Sequence, residues 1–307
     1  MPSTVSGPHL ALVGPTASGK SALALELARR LPGPPVEIVS VDSMQVYRGM
    51  DIGTAKPSAE ERAAVPHHLL DLADPGEDFS VTRFADAAAS AVSGIEARGH
   101  RALLVGGTGL YLRAVLGDLE PPGRWPAVRA ELEAVADTAA LFGRLEELDP
   151  VAASRITKTN RRRIVRALEV CVGSGRPFSS FGPGMDVYPP TRFRLAGLWL
   201  PRPVLGERIH QRVHAMVAGG LLDEVRRLLT GGTGPSRTAR QALGYKELVP
   251  HIEEDAPLEE CVRRAVDRTR AFARRQRVWF RRDPRIRWYG AAENPIAVLP
   301  ALLGDWS

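Results

Sequence analysis

Cysteine is scarce here: the 307 residues contain two, Cys171 and Cys261, far apart in the chain. Neither belongs to a CxxC pair, so a zinc site built on cysteine is not expected, and a reducing cytoplasm is the default compartment. Long apolar runs are also missing. None reaches the roughly 18 residues needed to cross a bilayer, so no membrane partner is expected. The N-terminal stretch MPSTVSGPHLALVG lacks a basic region and a long apolar core, which argues against a signal peptide. No internal repeat is visible, and a monomer is the expected state. Acidic side chains are outnumbered, 35 against 41 basic ones, for a net charge of +6. That balance favours anionic partners, either nucleic acid or phosphorylated ligands. Arginine far exceeds lysine, a bias that genomic base composition explains as well as function does. The remainder is ordinary for a cytoplasmic globular protein: 44% hydrophobic, 25% charged, and long enough for one large domain or two modest ones.

What is present begins with a strand, a glycine loop and a helix. His9 to Val13 is a short apolar run. Gly14-Pro15-Thr16-Ala17-Ser18-Gly19-Lys20-Ser21 follows, and Leu23, Leu27 and Leu31 then recur at helical spacing. Pro32-Gly33-Pro34-Pro35 stops that helix. Val36 to Val41 reads as a second strand ending at Asp42. Phe79 to Arg98 reads as an alanine-rich helix, and Arg101 to Val105 as a third strand entering Gly106-Gly107-Thr108-Gly109. Strands alternating with helices predict an α/β fold: a P-loop core with a mainly parallel sheet flanked by helices. After about Gly117 the texture turns helical. A helical insertion domain is expected over 121–190, splitting the core into 1–120 and 191–307. The second core part opens with a strand over Phe193 to Leu200 and is mostly helical from Arg202 to a basic, arginine-rich end.

The glycine loop is a P-loop. Its backbone N–H groups can wrap an anion, the helix start favours negative charge, Lys20 adds a mobile cation, and the Ser21 hydroxyl is the usual Mg²⁺ ligand. That assigns polyphosphate binding without saying whether the ligand is a nucleotide such as ATP. An ordinary P-loop hydrolase carries an acidic residue at the end of a further strand. Here Ala102 to Val105 runs into glycine and threonine with no carboxylate. The acid is instead Asp42, at the end of the second strand, on the side where parallel strands collect ligands. It suits a general base, an indirect Mg²⁺ ligand or a turn cap. Thr108 can donate to a phosphate or a leaving-group oxygen, although a plain strand-to-helix turn would read the same.

Two segments are basic: Arg155 to Arg166 inside the insertion, and Arg263 to Arg287, where Trp279, Phe280, Trp288 and Tyr289 interleave. Such patches attract phosphate backbones, and a solvated arginine face has the same pattern. His67-His68 reads as structural. His210 and His214 share a helix face but lack the intervening Glu of a zinc-protease motif.

Together, Gly14 to Ser21 and the long stretch Asp42-Ser43-Met44-Gln45-Val46-Tyr47-Arg48-Gly49-Met50-Asp51-Ile52-Gly53-Thr54-Ala55-Lys56-Pro57 resemble the bacterial tRNA dimethylallyltransferases. Pro66 to Asp71, Leu104 to Thr108, Asp149 to Ala153, Arg163 to Val170 and Gly244 to Glu247 match as well. The resemblance implies prenyl transfer from dimethylallyl diphosphate to N6 of the adenosine just 3′ of the anticodon, in tRNAs reading codons that begin with U. Mg²⁺ is the implied cofactor. Asp42, Thr108 and Lys20 become the implied catalytic residues. The P-loop, with Arg212, would bind the diphosphate. Asp42, Ser43, Met44, Gln45, Thr108, Arg129, Arg162, Arg163, Ile164, Val165, Arg166 and Arg240 would meet the anticodon stem-loop. Arg162 stands where the family commonly has Gln. A small-molecule kinase, or a nucleic-acid-binding ATPase, on the same scaffold is the alternative reading of the residues themselves.

Overall fold

The computed structural model describes residues 8–117, 119, 121–182, 184–232 and 234–307. Six strands, β1 (His9–Val13), β2 (Val36–Val41), β3 (His67–His68), β4 (Arg101–Gly106), β5 (Phe193–Trp199) and β6 (Ile286–Gly290), form one sheet. Their spatial order is β3-β2-β4-β1-β5-β6, and every pairing is parallel. Helical crossovers impose this, because parallel neighbours cannot be joined by a tight turn. The core helices are α1 (Lys20–Arg30), α2 (Ala59–Ala64), α3 (Val81–Ala97), α4 (Gly109–Val115), α9 (Arg202–Ala218), α10 (Leu221–Thr230), α11 (Tyr245–Glu254), α12 (Leu258–Phe280) and α13 (Leu299–Trp306). Between α4 and β5 lie α5 (Pro126–Ala134), α6 (Thr138–Leu148), α7 (Pro150–Arg155) and α8 (Arg161–Ser174).

β1, β2 and β4 are buried at every position, as strands covered on both faces must be. Side chains alternate along them between two cores. Leu10, Leu12 and Leu103 meet Leu23 and Leu27 of α1 and Leu302 and Trp306 of α13. Ala11, Val13, Val39 and Leu104 meet Phe84 and Val92 of α3 and Ala273 and Phe280 of α12. The arginine-rich end is not wholly helical. Ile286–Gly290 pairs with β5 at the sheet edge, burying Ile286 and Tyr289 and exposing Arg287.

Near the amino end of β2, Glu37 accepts from Arg98 Nε and Nη2 at 2.8–2.9 Å and meets a ring nitrogen from each of His68 and His100 at 2.6 Å. Burial alone would raise its pKa, but these hydrogen bonds hold it down to about 2. Its contribution to stability is therefore present above the ordinary glutamate value and is lost as pH falls toward 2. His67 turns instead to the Val65 carbonyl.

The chain divides into two compact units, residues 117–189 and the remainder. The smaller unit packs Leu132, Phe142, Leu145, Ile164 and Leu168 into its own core. Among the described residues, no helix is long and apolar enough to cross a membrane.

Candidate active site

The loops that follow β1, β2 and β4 lie at the carboxyl edge of the sheet, the usual ligand side of an open parallel α/β fold. The P-loop follows β1. α1 starts at Lys20 with no acidic residue in its first turn, so no side chain of that turn competes for the positive helix end. Ala17 is held at φ 61, a left-handed conformation uncommon for a residue with a Cβ. Arg208 of α9 steadies it by donating Nε to the Ala17 carbonyl at 2.9 Å. Ser18 is fully buried, and its hydroxyl has no partner among the described residues. Not every loop amide is free for an anion: the Thr16 N–H donates to Gln276 Oε1 at 2.8 Å.

Lys20 lies partly buried at the helix start. Burial, reinforced by the Arg212 charge, lowers its pKa to about 8, while Asp42 pulls the other way. Arg212 of α9 is likewise lowered by burial, opposed by Asp42 and helped by Arg208. Among the described residues, neither cation has a carboxylate within ion-pair distance. Two uncomfortable cations and one carboxylate thus act on one another at this edge, an arrangement that an anion would stabilise.

Asp42 uses Oδ1 to accept the Met44 N–H at 2.9 Å, so it is a turn cap as well as a candidate base. Its second oxygen has no protein partner among the described residues. Thr108 does not cap α4 with its side chain. Its hydroxyl oxygen accepts the Ser43 N–H at 3.3 Å, tying the β4 turn to the β2 turn and leaving its O–H free to donate. Gln45, expected to meet the anticodon stem-loop, is used inside the protein. Its Oε1 accepts from Ser40 at 2.7 Å and its Nε2 donates to the Thr54 and Ala55 carbonyls. It holds the shape of the segment that carries Asp42, because both ends of its amide are engaged. Met44 packs against the core while partly exposed.

The rest of the long motif is also largely structural. Glu224 of α10 accepts the N–H groups of Asp51, Ile52 and Gly53 at 2.9–3.2 Å and the Tyr245 hydroxyl. Lys56 bridges Asp51 and Asp71 at 2.6 Å and donates to the Tyr47 carbonyl. Periodicity did not single out Glu224. A buried acid on an amphipathic helix was the one available signal.

In the smaller unit, Asn160 caps α8, which carries Arg162, Arg163, Ile164, Val165 and Arg166. Arg162 and Arg163 are exposed. Ile164 and Val165 are 0% and 2% exposed, which corrects their assignment to an RNA surface: helical spacing turns both into the core. Arg166 and Arg129 both pair with the buried Glu169, at 2.9 and 3.4 Å, and Arg129 also reaches Glu133 at 2.8 Å. Arg240 donates to both oxygens of Glu253 at 2.9 Å and makes no hydrogen bond to the P-loop among the described residues.

Among the described residues, no three His, Cys, Asp or Glu side chains come together to cage a metal. Ser21, exposed at the start of α1, suits a hydrated Mg²⁺ carried mainly by phosphate oxygens.

An IPP transferase family profile matches residues 45–283, and an isopentenyl transferase profile matches residues 9–71. The tRNA dimethylallyltransferase of Roseiflexus castenholzii is 52% identical over 286 residues, covering 91% of each chain. That of Pseudarthrobacter chlorophenolicus is 49% identical, covering 92% of this chain and 93% of its own. The crystal structure of a tRNA isopentenylpyrophosphate transferase from Bacillus halodurans superposes with a TM-score of 0.70 at 38% identity, covering 98% of this chain and 95% of that one. A eukaryotic dimethylallyltransferase acting on tRNA gives a TM-score of 0.80 at 26% identity, covering 97% and 78%. With sequence, coverage and fold in agreement, this chain belongs to the IPP transferase family.

Proposed function

We propose that this chain transfers the dimethylallyl group of dimethylallyl diphosphate to N6 of the adenosine just 3′ of the anticodon, in tRNAs reading codons that begin with U. The products are N6-isopentenyladenosine and diphosphate. The observation that carries this reading is the pairing of a strained, cation-lined phosphate cradle with Asp42, at a sheet edge where β4 runs into Gly107 and Thr108 instead of an acid. Such a cradle suits a leaving diphosphate, with the bond change at carbon and not at phosphorus.

In the proposed step, the N6 lone pair forms the N–C bond to C1 of the donor as the C1–O bond breaks. The exocyclic amine is a weak nucleophile, and Asp42 Oδ2 accepts its proton. The electron pair of the broken bond stays on diphosphate, whose charge is met by Lys20, Arg212 and the free loop N–H groups. Thr108 donates its O–H to the bridging oxygen. Mg²⁺, held by the Ser21 hydroxyl and phosphate oxygens, would supply further charge neutralisation. The adenine leaves its stack to reach Asp42. Arg129, Arg162, Arg163 and Arg166 contact phosphates of the anticodon stem-loop, a sequence-independent task suited to arginine. One copy of the chain suffices, acting in the cytoplasm where tRNA is processed.

The test is incubation of purified protein and Mg²⁺ with unmodified tRNA and either dimethylallyl diphosphate or ATP. A mass gain of one isoprenoid unit on one anticodon-loop adenosine is expected with the first donor only. Phosphate release from ATP without tRNA modification would sink the reading.

A further inference from the structure

α12 is amphipathic in an irregular way. Cys261, Val262, Ala265, Val266, Ala273 and Phe280 form its buried stripe, and Gln276 sits in the same stripe at 7% exposure. A buried amide in an apolar row carries a desolvation cost unless both its ends are bonded. Here both are, and to two different catalytic turns. Oε1 accepts the Thr16 N–H of the P-loop at 2.8 Å, and Nε2 donates to the Gly107 carbonyl of the β4 turn at 2.9 Å. The pairing also settles which end of the amide is oxygen, since one partner is a donor and the other an acceptor.

The turn is shaped to receive this side chain. A Cβ on Gly107 would lie 2.3 Å from Gln276 Nε2. One helical turn further along α12, Trp279 presses on the same turn: a Cβ on Gly109 would lie 2.0 Å from its indole nitrogen. A side chain at either position would have to displace part of the α12 face: the end of the Gln276 amide at Gly107, the Trp279 ring at Gly109. Drawing the Gly107 carbonyl toward α12 also turns the Thr108 N–H to the opposite side of the same trans peptide plane.

We infer that Gln276 is a positioning residue for the transfer proposed above. Its amide clips the P-loop to the Gly106–Gly109 turn and so sets the distance between the diphosphate cradle and the Thr108–Asp42 side of the site. The P-loop carries the leaving group. Thr108, tied to Ser43, carries the side on which the acceptor is deprotonated. Among the described residues no other side-chain hydrogen bond joins these two loops, and C–O cleavage is sensitive to the placement of the reacting groups. Gln fits the task because it accepts and donates at once over a fixed span. A carboxylate only accepts, and an apolar residue does neither.

The inference rests on the proposed transfer, but part of its test does not. Gln276→Met keeps length and volume while removing both hydrogen bonds. Two quantities are measured: the affinity for inorganic diphosphate by calorimetry, which needs no turnover, and steady-state transfer to tRNA. The expected result is a diphosphate affinity weaker by about tenfold and a kcat lower by about 10- to 100-fold, with the KM for tRNA within about twofold of wild type. A role in fold stability alone would leave diphosphate affinity and kcat of the folded fraction untouched. A direct RNA contact would move the tRNA KM as much as kcat, and either pattern overturns the inference. Gly107→Ala approaches the same clip from the other side, and serves if Gln276→Met does not fold. It should reproduce the loss of diphosphate affinity, and unchanged affinity there counts against the clip. Its effect should shrink on a Gln276→Ala background, where the added Cβ has room; simple additivity of the two would also overturn the inference. If wild type binds diphosphate but modifies no tRNA, the proposed function fails while the affinity measurements still decide the clip.

Discussion

The cations of the phosphate cradle and those of the helical unit are held in opposite ways. Lys20 and Arg212 are partly buried without carboxylate partners among the described residues, and their pKa values are pushed down. Arg129 and Arg166 are tethered to Glu169, a carboxylate that is itself 1% exposed. The cradle keeps its positive charge in reserve, at a cost in stability that an incoming anion relieves. In the proposed function the helical unit aims long, flexible side chains at a polyanion, and a buried carboxylate reduces their wandering without neutralising the exposed Arg162 and Arg163 beside them. On the proposed function, a small anion is met by destabilised charge and a large one by arranged charge.

The largest effect should come from removing the single carboxylate of the cradle. Asp42→Ala is expected to lower kcat by about 10²- to 10⁴-fold with tRNA affinity retained, as read by single-turnover transfer and filter binding. A rate within about tenfold of wild type would mean that Asp42 is not the base. Next in size is a pH effect. A lysine with its pKa lowered to about 8 loses its charge as pH rises through that value, so the KM for dimethylallyl diphosphate should climb above about pH 8. Lys20→Arg should be flat across the same range, since a guanidinium stays charged. Identical profiles for the two proteins would break the contrast from the cradle side.

The helical unit should respond more gently. Glu169→Gln should lower thermal stability by about 1–3 kcal/mol and raise the tRNA KM severalfold, with diphosphate affinity unchanged. A tRNA KM that does not move would show that the tether serves the fold alone. Smallest of all, Arg162→Ala should weaken tRNA binding a few-fold and reduce the slope of log K against log salt by about 1. An unchanged salt slope takes Arg162 out of the interface.

The fold was legible wherever local pattern and tertiary role coincide. β1, β2, β4 and β5 are short apolar runs bounded by breakers, and each lies where such a run predicts a strand. β3 has two residues, too few for any periodicity. β6 was hidden by its arginines, since only pairing to β5 turns Ile286–Gly290 into an edge strand. Site residues followed the same division. Gly14 to Gly19, Asp42 and Thr108 stand in loops at strand ends, and Lys20 and Ser21 open the helix that follows, where topology alone directs them to one edge. Ile164 and Val165 share a stretch with the exposed arginines yet rotate into the core.

By itself the sequence determined an anion cradle after β1, an acid after β2 and no acid after β4, because these are set by residues adjacent in the chain. Only the tertiary structure decided how the motifs are held. Gln45 serves its own loop, Glu224 holds the Asp51–Gly53 backbone, and Gln276 reaches Thr16 across 260 positions. Backbone hydrogen-bonding groups that leave their strands must find partners somewhere. Which side chain supplies them depends on how the helices pack, and no local spacing records that.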